Sequence, residues 1–150
     1  MVYAFKAGSY IKADAQAAGE MCEKLAAEGR LTAKDLVDEN RPEDAPLHNE
    51  FEWDNNEAAD KWREYQARHI IACLIVKAER KEPVRAFFNV TRSEPQYTHI
   101  ETILESTDET EKLLKTALGE LISFKKKYST LEQLTKVFAA IDEVTEGVTT

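Results

Sequence analysis

The stretch "PLHNEFEWDNNEAADKWREYQAR", residues 46–68, sets the fold because it contains a helix and the loop that leads into it. Asp54, with an acidic residue three positions later, is an N-cap signature, since negative charge is favourable at the positive end of a helix. In the predicted helix, residues 55–72, Trp62 and Tyr65 share one side with alanine and isoleucine, and most charged residues lie opposite. We therefore expect both aromatic rings to pack in the core rather than to form a site.

The loop before this helix is expected to be ordered. Phe51 and Trp53 stand just ahead of the N-cap, where apolar side chains commonly staple a loop onto the start of a helix. Pro46 and His48 are expected to fix the path of that loop. A recognition or catalytic role for His48 is the alternative, but ring nitrogens bonded to the backbone are the simpler explanation.

Further elements are predicted on both sides of this segment. Towards the N-terminus, a short extended start is followed by a helix within residues 12–30 and by a second helix over 33–39. Gly29 is placed to stop the first of these helices in a left-handed conformation. After the opening segment, residues 74–91 read as two β-prone runs separated by a polar turn with proline, which predicts a hairpin.

Two further helices are predicted over residues 108–128 and 130–143. Ser106 and Ser129 each begin a capping box. A broad apolar face on the first of these helices suits either packing on the rest of the chain or pairing with a second copy. The apolar residues of that face are Leu113, Leu114, Ala117, Leu118, Leu121, Ile122 and Phe124.

This element order predicts a mainly helical α+β protein in a single domain, residues 1–150. Three helices and a β-hairpin within 10–92 are the order of a winged helix-turn-helix module, and the two helices of 106–145 follow it. The link between the second and third helices is far longer than such a module normally has. An α+β fold with its sheet covered on one side fits the same pattern.

If residues 10–92 form a winged helix-turn-helix module, the chain is predicted to have a surface that binds double-stranded DNA. The third helix would offer its outer side to the major groove, and the hairpin would reach a phosphate strand. Acidic residues on the same helix would oppose phosphate. The candidate DNA contacts are Lys61, Arg63, Arg68, Lys77, Arg80, Lys81 and Arg85.

Composition restricts the function classes. The net charge is −8, and residues 31–70 contribute five basic and eleven acidic side chains, so a DNA contact would need the basic stretch 76–92. No apolar run approaches the ~20 residues that span a bilayer. The first residues lack the pattern of a secretion signal, which predicts a protein that is not secreted and has no membrane partner. Cys22 and Cys73 are expected to be buried, reduced thiols.

No motif for catalysis, metal binding or nucleotide binding is present. The three histidines are scattered, and no zinc, P-loop, dinucleotide or serine-hydrolase signature occurs. Acidic residues between positions 50 and 60 are dense enough to attract a cation, but helix capping and solvation explain them more simply. We expect a protein that is not an enzyme and carries neither cofactor nor metal.

The chain resembles a family of small phage and prophage proteins. The resemblance rests on residues 46–68, read as PLHxxFEWDxxxAAxxxRxxQAR, and on "SYIKADAQAAGE", "VRAFFNV" and "LGELISFKKKYSTLEQLTKVFAAI". The resemblance implies that the protein takes part in the life cycle of a phage. It identifies neither a catalytic residue nor a ligand. Three functions stay open: a DNA-associated regulator, a structural or assembly protein that self-associates, and an inhibitor that binds a host protein through the acidic region 35–60.

Overall fold

The computed structural model describes residues 1–54, 57–77, 82–91 and 96–147, apart from the side chains of residues 57 and 58. The chain divides into two compact units, Met1–Ile103 and Leu104–Thr150. Helices dominate, and short antiparallel strands accompany them, so the predicted mainly helical α+β class is confirmed. No helix in the described part of the chain is both long and apolar enough to cross a membrane.

The helices are α1 (Ala15–Ala27), α2 (Ala33–Glu39), α3 (Glu57–Cys73), α4 (Ile100–Glu105), α5 (Thr107–Tyr128) and α6 (Thr135–Thr145). The strands are β1 (Val2–Phe5), β2 (Leu74–Lys77), β3 (Val84–Arg85), β4 (Phe87–Phe88) and β5 (Thr98–His99). Short 3₁₀ turns at His48–Glu50 and Glu132–Leu134 precede α3 and α6.

A three-stranded antiparallel sheet organises the first unit. β2 is its central strand and pairs with β1 on one side and with β3 on the other. Because β2 continues directly from the last residue of α3, the sheet fixes the C-terminal end of that helix. α1 packs on β1, and α2 packs on α3, so a single core forms between helices and sheet.

The predicted caps of the first two helices are confirmed. The Thr32 hydroxyl accepts a hydrogen bond from the Asp35 amide at 3.0 Å and begins α2 at the expected residue. Gly29 follows α1 with a φ of +67°, the left-handed conformation that glycine adopts without a Cβ clash. The apolar side of α1 is buried where it was expected, at Ala18, Cys22 and Leu25.

The predicted hairpin forms, but it is part of a larger arrangement. Val76 and Ile75 of β2 face Val84 and Arg85 of β3, as an antiparallel hairpin requires. The chain then leaves this sheet at Ala86, whose amide donates to the Leu74 carbonyl, and β4 pairs with β5 in a separate two-stranded ladder. Residues 78–81, which include the first residue of the "KEP" segment predicted as the turn, lie outside the described residues.

The second unit contains α5 and α6, which pack on each other. The cap predicted at Ser106 is confirmed, because its hydroxyl accepts from the Glu109 amide at 3.3 Å. The cap predicted at Ser129 is wrong: its hydroxyl donates back to the Lys126 carbonyl at the end of α5. The last helix therefore starts at Thr135, after a 3₁₀ turn, and not at residue 130.

Candidate functional site

The loop before α3 is held by hydrogen bonds from buried polar groups. Asn40 is fully buried at the end of α2; its side chain accepts from the Leu47 amide at 2.9 Å and donates to the Leu36 carbonyl at 2.8 Å. The His48 ring bonds the Asn40 carbonyl at 3.0 Å, which agrees with the structural role expected for this histidine. Pro46 lies exposed in the preceding turn. This loop is a fixed support for the helix that follows it.

Phe51 and Trp53 fasten the loop to the protein, as the sequence predicts. Phe51 belongs to the core, and Trp53 packs against it with the two rings 5.7 Å apart. The indole of Trp53 stacks on His48 at 4.9 Å, and its N–H donates to the His48 carbonyl. The helix start predicted directly after Asp54 involves residues 55–56, which lie outside the described residues.

Arg63 is buried on the inner side of α3, where the sequence predicted Trp62 and Tyr65, and it contacts the loop before the helix. Its side chain is 3% exposed, and Nη1 donates to the carbonyl oxygens of Glu52 at 2.8 Å and Asp54 at 3.4 Å. Nη2 pairs with Asp60 at 2.6 Å, and the guanidinium lies 5.4 Å from the centre of the Trp53 ring. The hydrogen bond from Arg63 lowers the pKa of the Asp60 carboxyl. The prediction that Arg63 faces DNA is therefore wrong.

Trp62 and Tyr65 face solvent, so the prediction that they pack in the core is also wrong. Their exposed fractions are 52% and 57%, and their rings stack on each other at 5.3 Å with a 16° angle between the planes. The inner side of α3 is formed instead by small or aliphatic residues and Arg63. Among the described side chains of α3, the buried positions are Ala59, Arg63, Ala67, Ile70, Ile71 and Cys73.

Tyr10 completes the surface and was not singled out from sequence. It is 92% exposed and has a φ of +58°, a backbone conformation that is rare for a bulky residue. Its loop is tied at both ends. Glu50 accepts hydrogen bonds from the amides of Lys12 at 2.9 Å and Ala13 at 2.7 Å, and the His69 ring bonds the Ser9 carbonyl at 3.3 Å. The exposed tyrosine is thus held on a rigid turn.

We call Tyr10, Trp62 and Tyr65 the aromatic surface. A shallow cavity of about 200 Å³ lies among these three rings. Its lining combines apolar side chains with a few polar ones that can donate or accept a hydrogen bond. The lining residues are Ser9, Tyr10, Ile11, Glu50, Trp62, Tyr65, Gln66, His69 and Ile70.

Charges of both signs lie along the exposed side of α3. Lys61 and Arg68 are exposed there, as predicted, but Arg68 lies 3.8 Å from Glu64 in an ion pair. Asp60 is exposed as well and is held by Arg63. The described part of this helix face therefore has no marked excess of positive charge.

The hairpin residues predicted to contact DNA are only partly described. Lys77 is exposed at the end of β2. Arg85 is exposed, donates from Nε to the Phe87 carbonyl at 2.9 Å and lies over the Phe88 ring at 5.0 Å. Arg80 and Lys81 lie outside the described residues. The described hairpin residues that remain candidates for a phosphate contact are thus Lys77 and Arg85.

The thiols are poorly suited to nucleophilic chemistry. Cys22 and Cys73 are buried and free, and burial raises the pKa of the Cys22 thiol to about 12. Burial also raises the pKa of Cys73, although Lys6 and Arg85 oppose that shift. Cys73 Sγ lies 3.8 Å from Nδ1 and 3.7 Å from Nε2 of His69, and the raised pKa keeps the thiol protonated at neutral pH. Among the described residues no group of three histidine, cysteine or acidic side chains is arranged to hold a metal ion.

Comparison with known proteins returned no match: no family model fits the chain, and no curated protein or solved structure is significantly similar to it. The resemblance of residues 46–68 to phage proteins therefore stays a prediction. The residues that carry that resemblance include the loop braces His48, Phe51 and Trp53 and the buried Arg63. Trp62 and Tyr65 of the aromatic surface stand at positions that the 46–68 motif leaves unspecified, whereas Tyr10 lies within "SYIKADAQAAGE".

Proposed function

We propose that this chain is a non-enzymatic regulatory protein that binds another protein through the aromatic surface. The observation that carries the proposal is the exposure of three large rings on rigid supports. Trp62 and Tyr65 stack on the outer side of α3, and Tyr10 is held beside them in a strained backbone conformation. Exposed aromatic clusters of this kind are typical of interfaces, where tryptophan and tyrosine contribute most of the binding energy.

The size of the cavity favours a protein partner over a small molecule. Small-molecule sites usually enclose roughly 300–1,000 Å³ and bury most of the ligand. A shallow cavity of about 200 Å³ holds one apolar or aromatic side chain of a partner, surrounded by the rings of Tyr10 and Trp62. Hot-spot residues of one protein characteristically insert into such a pocket on the other.

The charge of the chain indicates the character of the partner. The net charge is −8, and residues 31–70, which include most of α3 and its supporting loop, carry eleven acidic and five basic side chains. Exposed carboxylates at Glu52 and Asp54 belong to this region. A partner surface with basic residues around one apolar side chain would be drawn to it, and the association rate would fall with added salt.

Double-stranded DNA is the second candidate partner. Lys61, Arg68 and Lys77 are exposed and could meet phosphates, which supports this alternative. The burial of Arg63 and the carboxylates of Asp60 and Glu64 on the same helix weaken it. A DNA contact would therefore depend on few cations and show a shallow salt dependence.

We propose that the protein takes part in the life cycle of a phage or prophage, and that it acts in the host cytoplasm or as part of a virion. The resemblance of residues 46–68 supports this proposal. Two roles fit this proposal: a regulator that binds a host protein, and a protein that takes part in assembling the phage particle.

Affinity capture followed by a purified binding measurement tests the proposed function. The wild-type chain, a Trp62→Ala/Tyr65→Ala variant and a Val84→Ala control would be immobilised and exposed to a bacterial lysate. Val84 is an exposed apolar residue outside the aromatic surface. The protein retained by wild type would then be purified and its affinity for each variant measured by calorimetry.

We expect wild type and Val84→Ala to bind with equal affinity and the double variant to bind at least 100-fold more weakly, as loss of hot-spot residues predicts. Equal binding by all three chains contradicts the proposal. A mobility shift on duplex DNA at two salt concentrations, with no protein partner retained, would select the DNA alternative instead.

A further inference from the structure

The long helix α5 carries an exposed apolar stripe. Leu114 is 55% exposed, and Ala117 is exposed as well. Leu121 and Phe124 are 37% and 38% exposed, and the Phe124 ring also contacts Tyr128 and Phe138 in the same chain. None of the residues of α5 is buried, although it is a 22-residue helix. We call Leu114, Ala117, Leu121 and Phe124 the α5 seam.

The spacing of the α5 seam is that of a helix-pairing stripe. Its members follow one another at intervals of three, four and three residues, the a and d positions of a heptad repeat. The distance from Leu114 to Phe124 along the helix is about 15 Å at a rise of about 1.5 Å per residue. This length is enough for two layers of contacts on each side of a two-fold axis.

The charges of α5 are polarised along its length. Asp108, Glu109 and Glu111 lie near its N-terminus, where Asp108 pairs with Lys112 at 2.6 Å, and Lys125, Lys126 and Lys127 occupy its last turn. Two copies in parallel would bring like charges together at both ends, whereas two antiparallel copies bring the acidic end of each to the basic end of the other. The helix dipoles also favour the antiparallel arrangement.

From the seam and this polarity we propose that α5 is an interface between two copies of the chain, packed antiparallel. In an antiparallel pair, the a positions of one helix contact the d positions of the other. Leu114 of one copy then lies against Phe124 of the second copy, and Ala117 lies against Leu121. The acidic first turn of each α5 then lies close to the level of the basic last turn of the other copy. Lys125 takes a smaller part, because it already pairs with Asp142 of α6 in the same chain. The proposal is independent of the partner of the aromatic surface.

Sedimentation equilibrium tests the interface. At loading concentrations from about 5 to 500 μM, the range expected for a small interface, the average mass of wild type should rise from one chain towards two. Leu121→Glu should stay monomeric over this range. Val144→Glu introduces the same charge at an exposed apolar residue of α6 and should behave as wild type.

Disulfide trapping tests the direction of the pairing. Chains with Leu114→Cys should cross-link to chains with Phe124→Cys when the two are mixed and oxidised, and neither should cross-link efficiently with itself. In a parallel pair each single variant would form its own disulfide, because equivalent residues would meet. The native Cys22 and Cys73 are buried and do not interfere.

Four results would overturn the proposal: a wild type that stays monomeric at all concentrations, a Leu121→Glu chain that still dimerises, equal dissociation by Val144→Glu, or self-cross-linking of Leu114→Cys. Circular dichroism of every variant shows whether the chain is folded. Because the substituted side chains are exposed, unfolding is not expected to account for a loss of mass.

Discussion

At the residue level, Gly19 of α1 lies directly against the ring of Tyr3 on β1. A Cβ at position 19 would overlap that ring. The Tyr3 hydroxyl is fixed as well, since it donates to Glu23 at 2.8 Å. Glycine in α1 is therefore explained by close approach of the sheet, because its helical propensity is poor.

Replacement of glycine by alanine should have opposite effects on the free energy of unfolding at Gly19 and at Gly119. Gly19→Ala should lower the free energy of unfolding by about 1–3 kcal/mol, because the methyl group displaces Tyr3. Gly119→Ala in α5 meets open space, and it should raise that energy by about 0.5–1 kcal/mol through helix propensity. Urea denaturation of both variants measures the pair, and a stabilising Gly19→Ala would contradict the packing described.

His99 is a buried residue whose charge state affects stability. Its ring packs edge-on against Tyr3 and Phe87, and Nδ1 accepts a hydrogen bond from the Glu101 amide at 3.2 Å. Burial lowers the pKa of His99 below its ordinary value of 6.5, although Glu101 and Glu23 oppose the shift. The folded protein therefore favours the neutral ring.

A pH dependence of stability follows from that shift. Above pH 6.5 the ring is neutral in both folded and unfolded chains. Below it the unfolded chain binds the proton more readily, so stability decreases as the pH falls. Between about pH 7.5 and about pH 5.5, wild type should lose more unfolding free energy than His99→Asn, measured by urea denaturation. Parallel pH profiles for the two chains would show that His99 does not contribute.

At the level of elements, α3 shows where sequence patterns succeed and where they fail. The bounds of α2 and the C-terminal end of α1 follow from local capping, which depends on neighbouring residues, and were predicted closely. The sequence pattern predicts that Trp62 and Tyr65 form the inner side of α3. The buried side is displaced by about one residue around the helix, because Ala59 and Ala67 allow the helix to pack closely and Arg63 binds carbonyl groups of the loop.

The remaining errors have a similar cause. The burial of Arg63 was not predicted because two of its partners are the backbone carbonyls of Glu52 and Asp54, which leave no mark in the side-chain pattern. The position of Tyr10 depends on hydrogen bonds that its loop makes with Glu50, which accepts from the Lys12 and Ala13 amides, and with the His69 ring. Both residues are far away in sequence. The only local indication was an aromatic residue directly after Gly8 and Ser9, a turn-forming pair.

The two sides of α3 predict contrasting mutational effects. Arg63→Ala removes the donors to the Glu52 and Asp54 carbonyls and the contact with Trp53, and it should cost about 2–4 kcal/mol of unfolding free energy. Trp62→Ala, although it deletes a larger side chain, should change that energy by less than about 1 kcal/mol. Thermal and urea denaturation of both variants provide the comparison, and the reverse order would refute the assignment of the two sides.

At the level of the whole molecule, each of the two units carries its own exposed apolar feature. The first unit, Met1–Ile103, has the aromatic surface, and the second, Leu104–Thr150, has the α5 seam. Large rings and leucines left open to water are unfavourable for a monomer in isolation. Their exposure is the observation on which both proposed associations rest, that of the aromatic surface with a protein partner and that of the α5 seam with a second copy.

Acrylamide quenching of single-tryptophan variants tests the central claim, that Trp62 faces solvent while Trp53 braces the loop. Trp53→Phe leaves Trp62 as the only reporter, and Trp62→Phe leaves Trp53. We expect the emission of Trp62 to be quenched several-fold more steeply than that of Trp53, which is stacked on His48 and lies near Arg63. Equal protection of the two indoles, or stronger protection of Trp62, would contradict the account.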